Sequence, residues 1–214
     1  MKSLGNVFVL GDSYSTFKGY IPEGYATYYG DKEREGIDVY SVDETWWMQV
    51  INRANGSLLM NCSWSGTTIS HHGWENRDCK EISFIGRVTK LIKEGYFKEN
   101  KVDTFFLFGG TNDCWCGAPL GEKQTADWEM KDLYFVLPAI YYLANLLKTE
   151  LKGTRVVGII NTNLKPIVKE ALIDAFSLNE IEYVELEDIE KASGHPNKKG
   201  LEQISEQVLA VLEG

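Results

Sequence analysis

A serine, an asparagine and a histidine occupy three short polar segments where side chains can do chemistry. Ser13 follows the apolar run 7–10, Asn112 follows another at 104–108, and His195 comes just before the last amphipathic segment. Open α/β sheets collect their ligands at the carboxyl ends of strands. A hydroxyl nucleophile, an amide donor and an imidazole in such places are suited to acyl transfer through a serine.

Ser13 can act as a nucleophile only if a base takes its proton and fixed donors receive the negative charge on the substrate oxygen. In Gly-Asp-Ser at 11–13, Asp12 and Ser13 could equally cap the following turn. Asn112 comes after two glycines, so its amide nitrogen could point at a substrate oxygen. Gly66, after another predicted strand, could offer a bare backbone N–H. Glycine and asparagine are also ordinary turn residues.

His195 is the candidate base. Pro196 biases the residue before it away from the helical conformation, so we expect His195 in a rigid loop ahead of a helix. A lone histidine is usually only a surface residue. The other two histidines, His71 and His72, are adjacent, lack the spacing of a metal pair on a helix, and have no cysteine pattern to complete a site. The sequence therefore predicts no metal.

The elements that must position these residues alternate between strands and helices. Five short apolar segments are predicted strands: 6–10, 57–62, 103–108, 154–160 and 181–186. Amphipathic segments are predicted helices: 43–54, 81–94, 125–152, 165–179 and 197–213. This alternation is typical of an α/β fold whose parallel sheet is covered on both faces. We expect one domain over residues 1–214, with strand order 2-1-3-4-5.

Some local features refine this prediction. Pro138 predicts a kink in the segment 125–152, or two consecutive helices there. Asp43 is placed to cap the first helix. The connections 14–42, rich in glycine and tyrosine, and 63–80 are longer than the geometry needs, and long structured loops are usually functional.

Composition limits the classes of function. The formal net charge is −9, and 43% of the 214 residues are hydrophobic. A nucleic-acid-binding surface would normally show a basic stripe, so we expect no nucleic-acid partner. The chain shows no secretory signal at its start and no apolar run of membrane-spanning length, so we expect a cytoplasmic location and no membrane partner. Four cysteines in a chain of this size indicate free thiols.

The polar segments together resemble the four conserved blocks of the SGNH (GDSL-type) hydrolases. The blocks are matched by Gly-Asp-Ser at 11–13, Gly66, Gly-Thr-Asn-Asp at 110–113 and His-Pro at 195–196. The resemblance implies a three-layer α/β/α fold and ester hydrolysis through an acyl-enzyme without a cofactor. It implies that Ser13 is the nucleophile and that His195 acts as general base and then as acid. The Ser13 N–H, the Gly66 N–H and the Asn112 side chain would form the oxyanion hole.

One position departs from the family pattern. The family usually has an aspartate three residues before the histidine, which orients the imidazole and stabilises its charged form. Here that residue is Ala192. Asp188, Glu190 or a backbone carbonyl could orient His195 instead, or the enzyme could use a Ser–His dyad.

Three tryptophans in loops near the predicted site, Trp64, Trp74 and Trp115, are candidate substrate contacts. Flat aromatic faces suit sugar rings and can also line an acyl pocket. We therefore expect a small-molecule or carbohydrate ester as substrate. Deacetylation of a sugar is the first hypothesis, and a short-chain or lysophospholipid ester is the second.

Two other classes of function remain open. The hydroxyl-rich segment 13–16 could cradle a phosphate, as in a flavodoxin-like module that binds flavin or phosphate. That interpretation gives no role to Asn112 or His195. Ala192 also suggests a carbohydrate-binding relative with weakened catalysis. The sequence does not indicate the oligomeric state.

Overall fold

A five-stranded sheet forms the centre of the computed structural model, which describes residues 3–213. The strands are β1 (Gly5–Gly11), β2 (Gly56–Asn61), β3 (Thr104–Phe108), β4 (Arg155–Ile160) and β5 (Glu182–Glu185). They lie in the order β2-β1-β3-β4-β5, and every neighbouring pair is parallel. The predicted strand order is confirmed.

Helices cover both faces of the sheet. They are α1 (Trp46–Arg53), α2 (Phe84–Lys93), α3 (Tyr96–Glu99), α4 (Thr111–Trp115), α5 (Val136–Glu150), α6 (Pro166–Leu178) and α7 (Lys198–Glu213). A separate hairpin pairs β6 (Lys191–Ala192) with β7 (His195–Pro196). Within the described residues, no helix is both long enough and apolar enough to cross a membrane.

The side chains of β3 show how the layers form. Phe105 and Leu107 belong to one hydrophobic core, and Phe106 and Phe108 belong to the other. Successive side chains of a strand point to opposite faces, so an all-apolar strand needs cover on both sides. Buried side chains of α2, α5 and α6 fill the first core, and those of α1 and α7 fill the second. The three-layer α/β/α architecture is as predicted.

The prediction for the segment 125–152 was wrong at its start. A single helix, α5, begins only at Val136, and a 3-10 turn at Asp132–Tyr134 precedes it. Pro138 causes neither a kink nor a break, because it lies in the first turn, where a missing N–H costs no intrahelical hydrogen bond.

The predicted cap of the first helix was also wrong. Asp43 belongs to a 3-10 turn, Val42–Glu44, that precedes α1. The cap is Thr45, whose Oγ1 accepts the N–H of Met48 at 3.4 Å.

The loops after β1, β2 and β3 lie at one edge of the sheet. All five strands are parallel, so their carboxyl ends lie together. β1 lies between β2 and β3, where the order of the strands reverses. A crevice at such a reversal is the usual ligand site of an open α/β sheet.

Candidate active site

Ser13 and His195 meet at this carboxyl edge. Ser13 begins a 3-10 turn directly after β1, and its Oγ lies 3.0 Å from Nε2 of His195. Asp12 caps the turn, because its Oδ1 accepts the N–H of Tyr14 at 3.0 Å. Asp12 therefore caps the turn, and Ser13 in the same turn also meets His195.

Gly66 lies in a tight turn after β2. The N–H of Thr67 donates to the carbonyl of Trp64 at 3.3 Å, and Gly66 has a φ of +81°. A positive φ at the third position is typical of a type II turn and favours glycine. Over residues 3–213, no protein acceptor takes the N–H of Gly66 or of Ser13. Both donors are available to a ligand atom.

Asn112 lies between these two segments. It is in the first turn of α4, after Gly110 with a φ of +93°. Its Nδ2 donates to the carbonyl of Thr67 at 2.9 Å and lies 3.4 Å from Oδ2 of Asp12. The second distance is long for a hydrogen bond. One amide proton is thus firmly held and the other is only weakly engaged.

A buried arginine of α2 ties the same segments together from the core side. Arg87 is 2% exposed. Its guanidinium donates to the carbonyls of Gly11 and Cys62, at the ends of β1 and β2, and to Oγ1 of Thr67 at 3.0 Å. A buried cation is tolerated when its donors are satisfied. Sequence reasoning missed Arg87, whose one signal is a charged residue inside the amphipathic segment 81–94.

Two carboxyl groups are buried beside this network. Burial raises the pKa of Asp12 to about 7, and the positive charge of Arg87 opposes that rise. Burial also raises the pKa of Asp113, whose oxygens accept the N–H groups of Ile69 and Ser70 at 2.8 and 3.0 Å. Asp113 therefore anchors the loop after β2 to α4.

His195 lies outside the main sheet, in the β6–β7 hairpin. Ala192 is its cross-strand partner, and Ser193 and Gly194 form the turn with φ values of +50° and +81°. Two positive φ values are typical of a type I′ turn. Nδ1 of His195 lies 3.4 Å from the carbonyl oxygen of Ser193. The group near Nδ1 is thus a backbone carbonyl, one of the possibilities that the sequence left open.

Aromatic rings enclose the imidazole of His195. The Tyr28 ring stacks on its face, with the centroids 3.6 Å apart and 9° between the planes. The rings of Tyr14 and Trp115 lie at centroid distances of 5.3 and 5.9 Å. Trp115 is 43% exposed, so part of its ring faces solvent beside the imidazole.

Two tyrosine hydroxyls hold the hairpin itself. Tyr14 donates to the carbonyl of Gly194 at 2.5 Å, and Tyr29 donates to the carbonyl of Pro196 at 2.6 Å. Sequence reasoning singled out the tyrosine-rich segment 14–42 as a functional loop. It did not show which tyrosines would reach the hairpin.

The charges around His195 favour a neutral imidazole. Burial lowers its pKa, and the positive charges of Arg34 and Lys191 lower it further, while the Ser193 carbonyl opposes them. Lys191 donates to Oγ1 of Thr162 at 2.6 Å. A neutral His195 leaves one ring nitrogen free to accept a proton.

The other two candidate tryptophans border the Gly66 turn. Trp64 stacks on Tyr25 with the centroids 4.0 Å apart. Nε1 of Trp74 donates to the carbonyl of Gly66 at 3.1 Å, and 41% of the Trp74 surface is exposed. The structure thus places Trp115 beside the imidazole, and Trp64 and Trp74 beside Gly66.

The adjacent histidines lie apart from this cluster. His71 is buried, its Nδ1 lies 2.9 Å from Oγ of Ser83, and burial lowers its pKa to about 4. In the part of the chain that the structure describes, no group of three or more His, Cys, Asp or Glu side chains could hold a metal ion. The four cysteines are free thiols.

Comparison with known proteins agrees with this fold. A crystal structure from Bacteroides ovatus, named as a GDSL-like lipase, is 38% identical, has a TM-score of 0.91, and matches over 99% of both chains. One from Bacteroides uniformis with the same name is 37% identical, with a TM-score of 0.90, over 97% of this chain and 95% of that chain.

A more distant structure shares the fold. It is a family two carbohydrate esterase from Clostridium thermocellum in complex with cellohexaose, 14% identical with a TM-score of 0.66, over 100% of this chain and 65% of that chain. No curated protein sequence matches the chain. The family model for GDSL-like lipase/acylhydrolase matches residues 5–212. The chain therefore belongs to the GDSL-like lipase/acylhydrolase family of ester-hydrolysing enzymes.

Proposed function

We propose that this protein is a serine esterase that cleaves an O-acyl ester through an acyl-enzyme on Ser13. The observation that carries the proposal is the 3.0 Å separation of Ser13 Oγ and His195 Nε2. A serine hydroxyl is a weak nucleophile until an adjacent base takes its proton. The neutral imidazole of His195 can be that base.

In the first half of the reaction, Oγ of Ser13 attacks the carbonyl carbon of the ester, and its proton moves to Nε2 of His195. The carbonyl oxygen becomes an oxyanion, which accepts the N–H groups of Ser13 and Gly66 and the weakly held amide proton of Asn112. One such donor typically contributes about 3–4 kcal/mol to lowering the barrier. The bond to the alcohol then breaks, and His195 gives its proton to the departing oxygen.

In the second half, water attacks the acyl carbon and gives a proton to Nε2 of His195. The tetrahedral intermediate uses the same donors for its oxyanion. When it collapses, the bond between the acyl group and Oγ of Ser13 breaks, and His195 returns the proton to Oγ. The products are the alcohol and a carboxylic acid.

The substrate that we propose first is a carbohydrate carrying a short acyl group, such as acetyl. The exposed face of Trp115 beside His195 suits a sugar ring, and Ser13 is 4% exposed, which suits a small acyl group. The carbohydrate esterase with bound cellohexaose has the same fold. A short-chain or lysophospholipid ester is the second candidate.

The phosphate-binding alternative has little support, because the backbone donors of 14–16 are already used. The N–H of Tyr14 donates to the Asp12 side chain. The N–H of Ser15 donates to the Asp12 carbonyl, and that of Thr16 reaches the Ser13 carbonyl.

The test compares wild type with Ser13→Ala and His195→Ala. We expect each substitution to lower kcat for p-nitrophenyl acetate by about 10³-fold or more. A fluorophosphonate probe should label the wild type, and mass spectrometry of the labelled peptide should place the adduct on Ser13. Acetylated sugars and lipid esters of increasing chain length then rank the substrate classes.

Ser177→Ala and His72→Ala are matched controls away from the site, and both should retain wild-type activity. Wild-type rates in the Ser13 and His195 variants would contradict the proposal. Saturable glycan binding without labelling would favour the carbohydrate-binding relative instead. A protein purified with flavin absorbance and no labelling would favour the flavodoxin-like module.

A further inference from the structure

His195 has no carboxylate to orient it. Ala192 occupies the usual position, Glu190 is bound to Asn197 and Lys199, and Asp188 is exposed. Within residues 3–213, no carboxylate lies at ion-pair distance from the imidazole. Some other group must restrict the ring if Nε2 is to stay aimed at Ser13.

The Ser193 carbonyl alone restricts the ring weakly. Its 3.4 Å distance from Nδ1 exceeds the usual 2.7–3.2 Å of an N–H···O hydrogen bond. This contact favours the tautomer with a free lone pair on Nε2. It leaves rotation about the side-chain bonds poorly constrained.

The ring of Tyr28 supplies the missing constraint. At 3.6 Å and 9° it covers one whole face of the imidazole, so rotation of either ring would create a clash. Tyr28 is itself held at both ends of its backbone. Its N–H donates to Oγ1 of Thr16 at 2.8 Å, and its carbonyl accepts from Nη2 of Arg34 at 3.0 Å.

Tyr14 and Tyr29 hold the backbone on either side of the imidazole. Their hydroxyls bind the carbonyls of Gly194 and Pro196, the two residues that flank His195. The stack therefore fixes the side chain while the two hydrogen bonds fix the hairpin that carries it.

The Tyr28 face also offers electrostatic help. An aromatic face attracts a cation through its ring quadrupole. The imidazolium that forms when His195 takes the serine proton would lie against this ring. The guanidinium of Arg34 also lies over the Tyr28 ring, 4.9 Å from its centroid, and shares this attraction. The charges of Arg34 and Lys191 act against the imidazolium. An aspartate would provide this stabilisation in the usual triad.

We propose that Tyr28 is a positioning residue which, together with Tyr14 and Tyr29, holds His195 for proton transfer in place of an aspartate. The inference rests on the proposed function. It assigns a role to the aromatic ring of Tyr28 and none to its hydroxyl.

The test compares Tyr28→Leu with Tyr28→Phe. Loss of the ring should lower kcat by about 10- to 100-fold with little change in KM, because misplacing a catalytic group affects the chemical step. Tyr28→Phe keeps the stacked ring and should restore most of kcat. The imidazole NMR signals of His195 should be sharp in wild type and Tyr28→Phe, and broadened by exchange in Tyr28→Leu.

Tyr20→Leu, in the same loop but away from His195, controls for a general effect on the loop and should leave kcat unchanged. If Tyr28→Leu does not fold, Tyr14→Phe removes one hairpin hydrogen bond and should broaden the same signals. Wild-type kcat and sharp signals in the variant that folds would overturn the inference, as would equal losses of kcat in Tyr28→Phe and Tyr28→Leu.

A wild type that neither hydrolyses esters nor reacts with the fluorophosphonate would overturn the proposed function, whereas the NMR signals test the positioning of His195 independently.

Discussion

Ser13 and Gly66 lie in turns that continue strands β1 and β2, whereas His195 lies in a hairpin that pairs with no strand of the sheet. The Ser13 side is held by backbone and side-chain hydrogen bonds in the protein interior, with Arg87 joining both strand ends. The histidine side is held by tyrosines from one long loop. The Ser13 side and the His195 side of the site thus have different kinds of support.

This difference has consequences for stability. Arg87 and its carbonyl partners are buried, so changes there must alter global stability together with activity. The hairpin is a local unit at the surface, and local units can be disturbed without unfolding the whole domain. Substitutions at Arg87 should therefore lower stability and activity together, whereas substitutions around the hairpin should change activity without unfolding the protein.

Arg87→Lys is expected to have the largest effect. Lysine keeps the charge but loses the fork that reaches Gly11, Cys62 and Thr67 together. The free energy of unfolding should fall by about 2–3 kcal/mol, because hydrogen bonds to charged groups are strong and one ammonium cannot reach all three acceptors. The Gly11 carbonyl keeps its hydrogen bond from the N–H of Trp64. We expect kcat to fall by about tenfold as the Gly66 turn shifts. Urea unfolding and p-nitrophenyl acetate kinetics measure the two effects.

Arg53→Lys, on the exposed side of α1, is the control and should change stability by less than about 0.5 kcal/mol. If Arg87→Lys lowered kcat without destabilising the protein, the distinction between the two sides of the site would be lost.

Trp74→Phe should have a smaller effect, on the Ser13 side of the site. It removes the hydrogen bond to the Gly66 carbonyl from an exposed ring. We expect kcat to fall by about two- to fivefold, in line with the loss of one exposed hydrogen bond of about 0.5–1 kcal/mol, with unchanged thermal stability. Trp128→Phe loses an equivalent bond, from Nε1 to the Gln124 carbonyl, away from the site. Equal kinetic effects of the two substitutions would argue against a role for Trp74 in holding Gly66.

The smallest effect is expected from Arg34→Gln, on the His195 side of the site. A lowered His195 pKa keeps the imidazole neutral to lower pH. If His195 acts as proposed, the acidic limb of the pH profile of kcat/KM should have its midpoint below the ordinary pKa of 6.5. Removing the Arg34 charge raises this pKa, so the midpoint should move up by about 0.2–0.5 pH units for a screened surface charge. Lys191, Tyr14 and Tyr28 remain around the ring, but the Tyr28 carbonyl loses its hydrogen bond from Arg34. The maximal kcat is therefore measured together with the midpoint, so that a loss of positioning is separated from the loss of charge.

Lys32→Gln makes the same charge change in the same loop and should leave the limb in place. The comparison is made between variants because Asp12, with a pKa of about 7, titrates in all of them. A limb that does not move in Arg34→Gln would show that this charge does not act on His195.

Much of the fold and part of the site were predictable from local patterns. The five strands and their order followed from apolar runs alternating with amphipathic segments, and Ser13, Gly66, Asn112 and His195 were selected by residue type and place in that order. The start of α5 was not predictable, because the apolar residues around Trp128 have the spacing of a helix although they lie in a loop that precedes Val136.

The supporting residues were beyond sequence reasoning. Nothing in the spacing of the tyrosines between 14 and 42 distinguishes Tyr28, which stacks on the imidazole, from Tyr20, which does not contact it. The only sequence signal of Arg87 is a charged residue inside an amphipathic helix. Its partners come from strand ends far away in the chain.

The sequence by itself determined the parallel sheet and which polar residues stand at its carboxyl edge, because periodicity and chain order are local properties. Only the tertiary structure decided that Ser13 and His195 touch, that a carbonyl and a tyrosine ring lie against the imidazole, and that a buried guanidinium joins two strand ends. Those contacts join residues distant in the chain, and packing of the whole molecule sets the direction of their side chains.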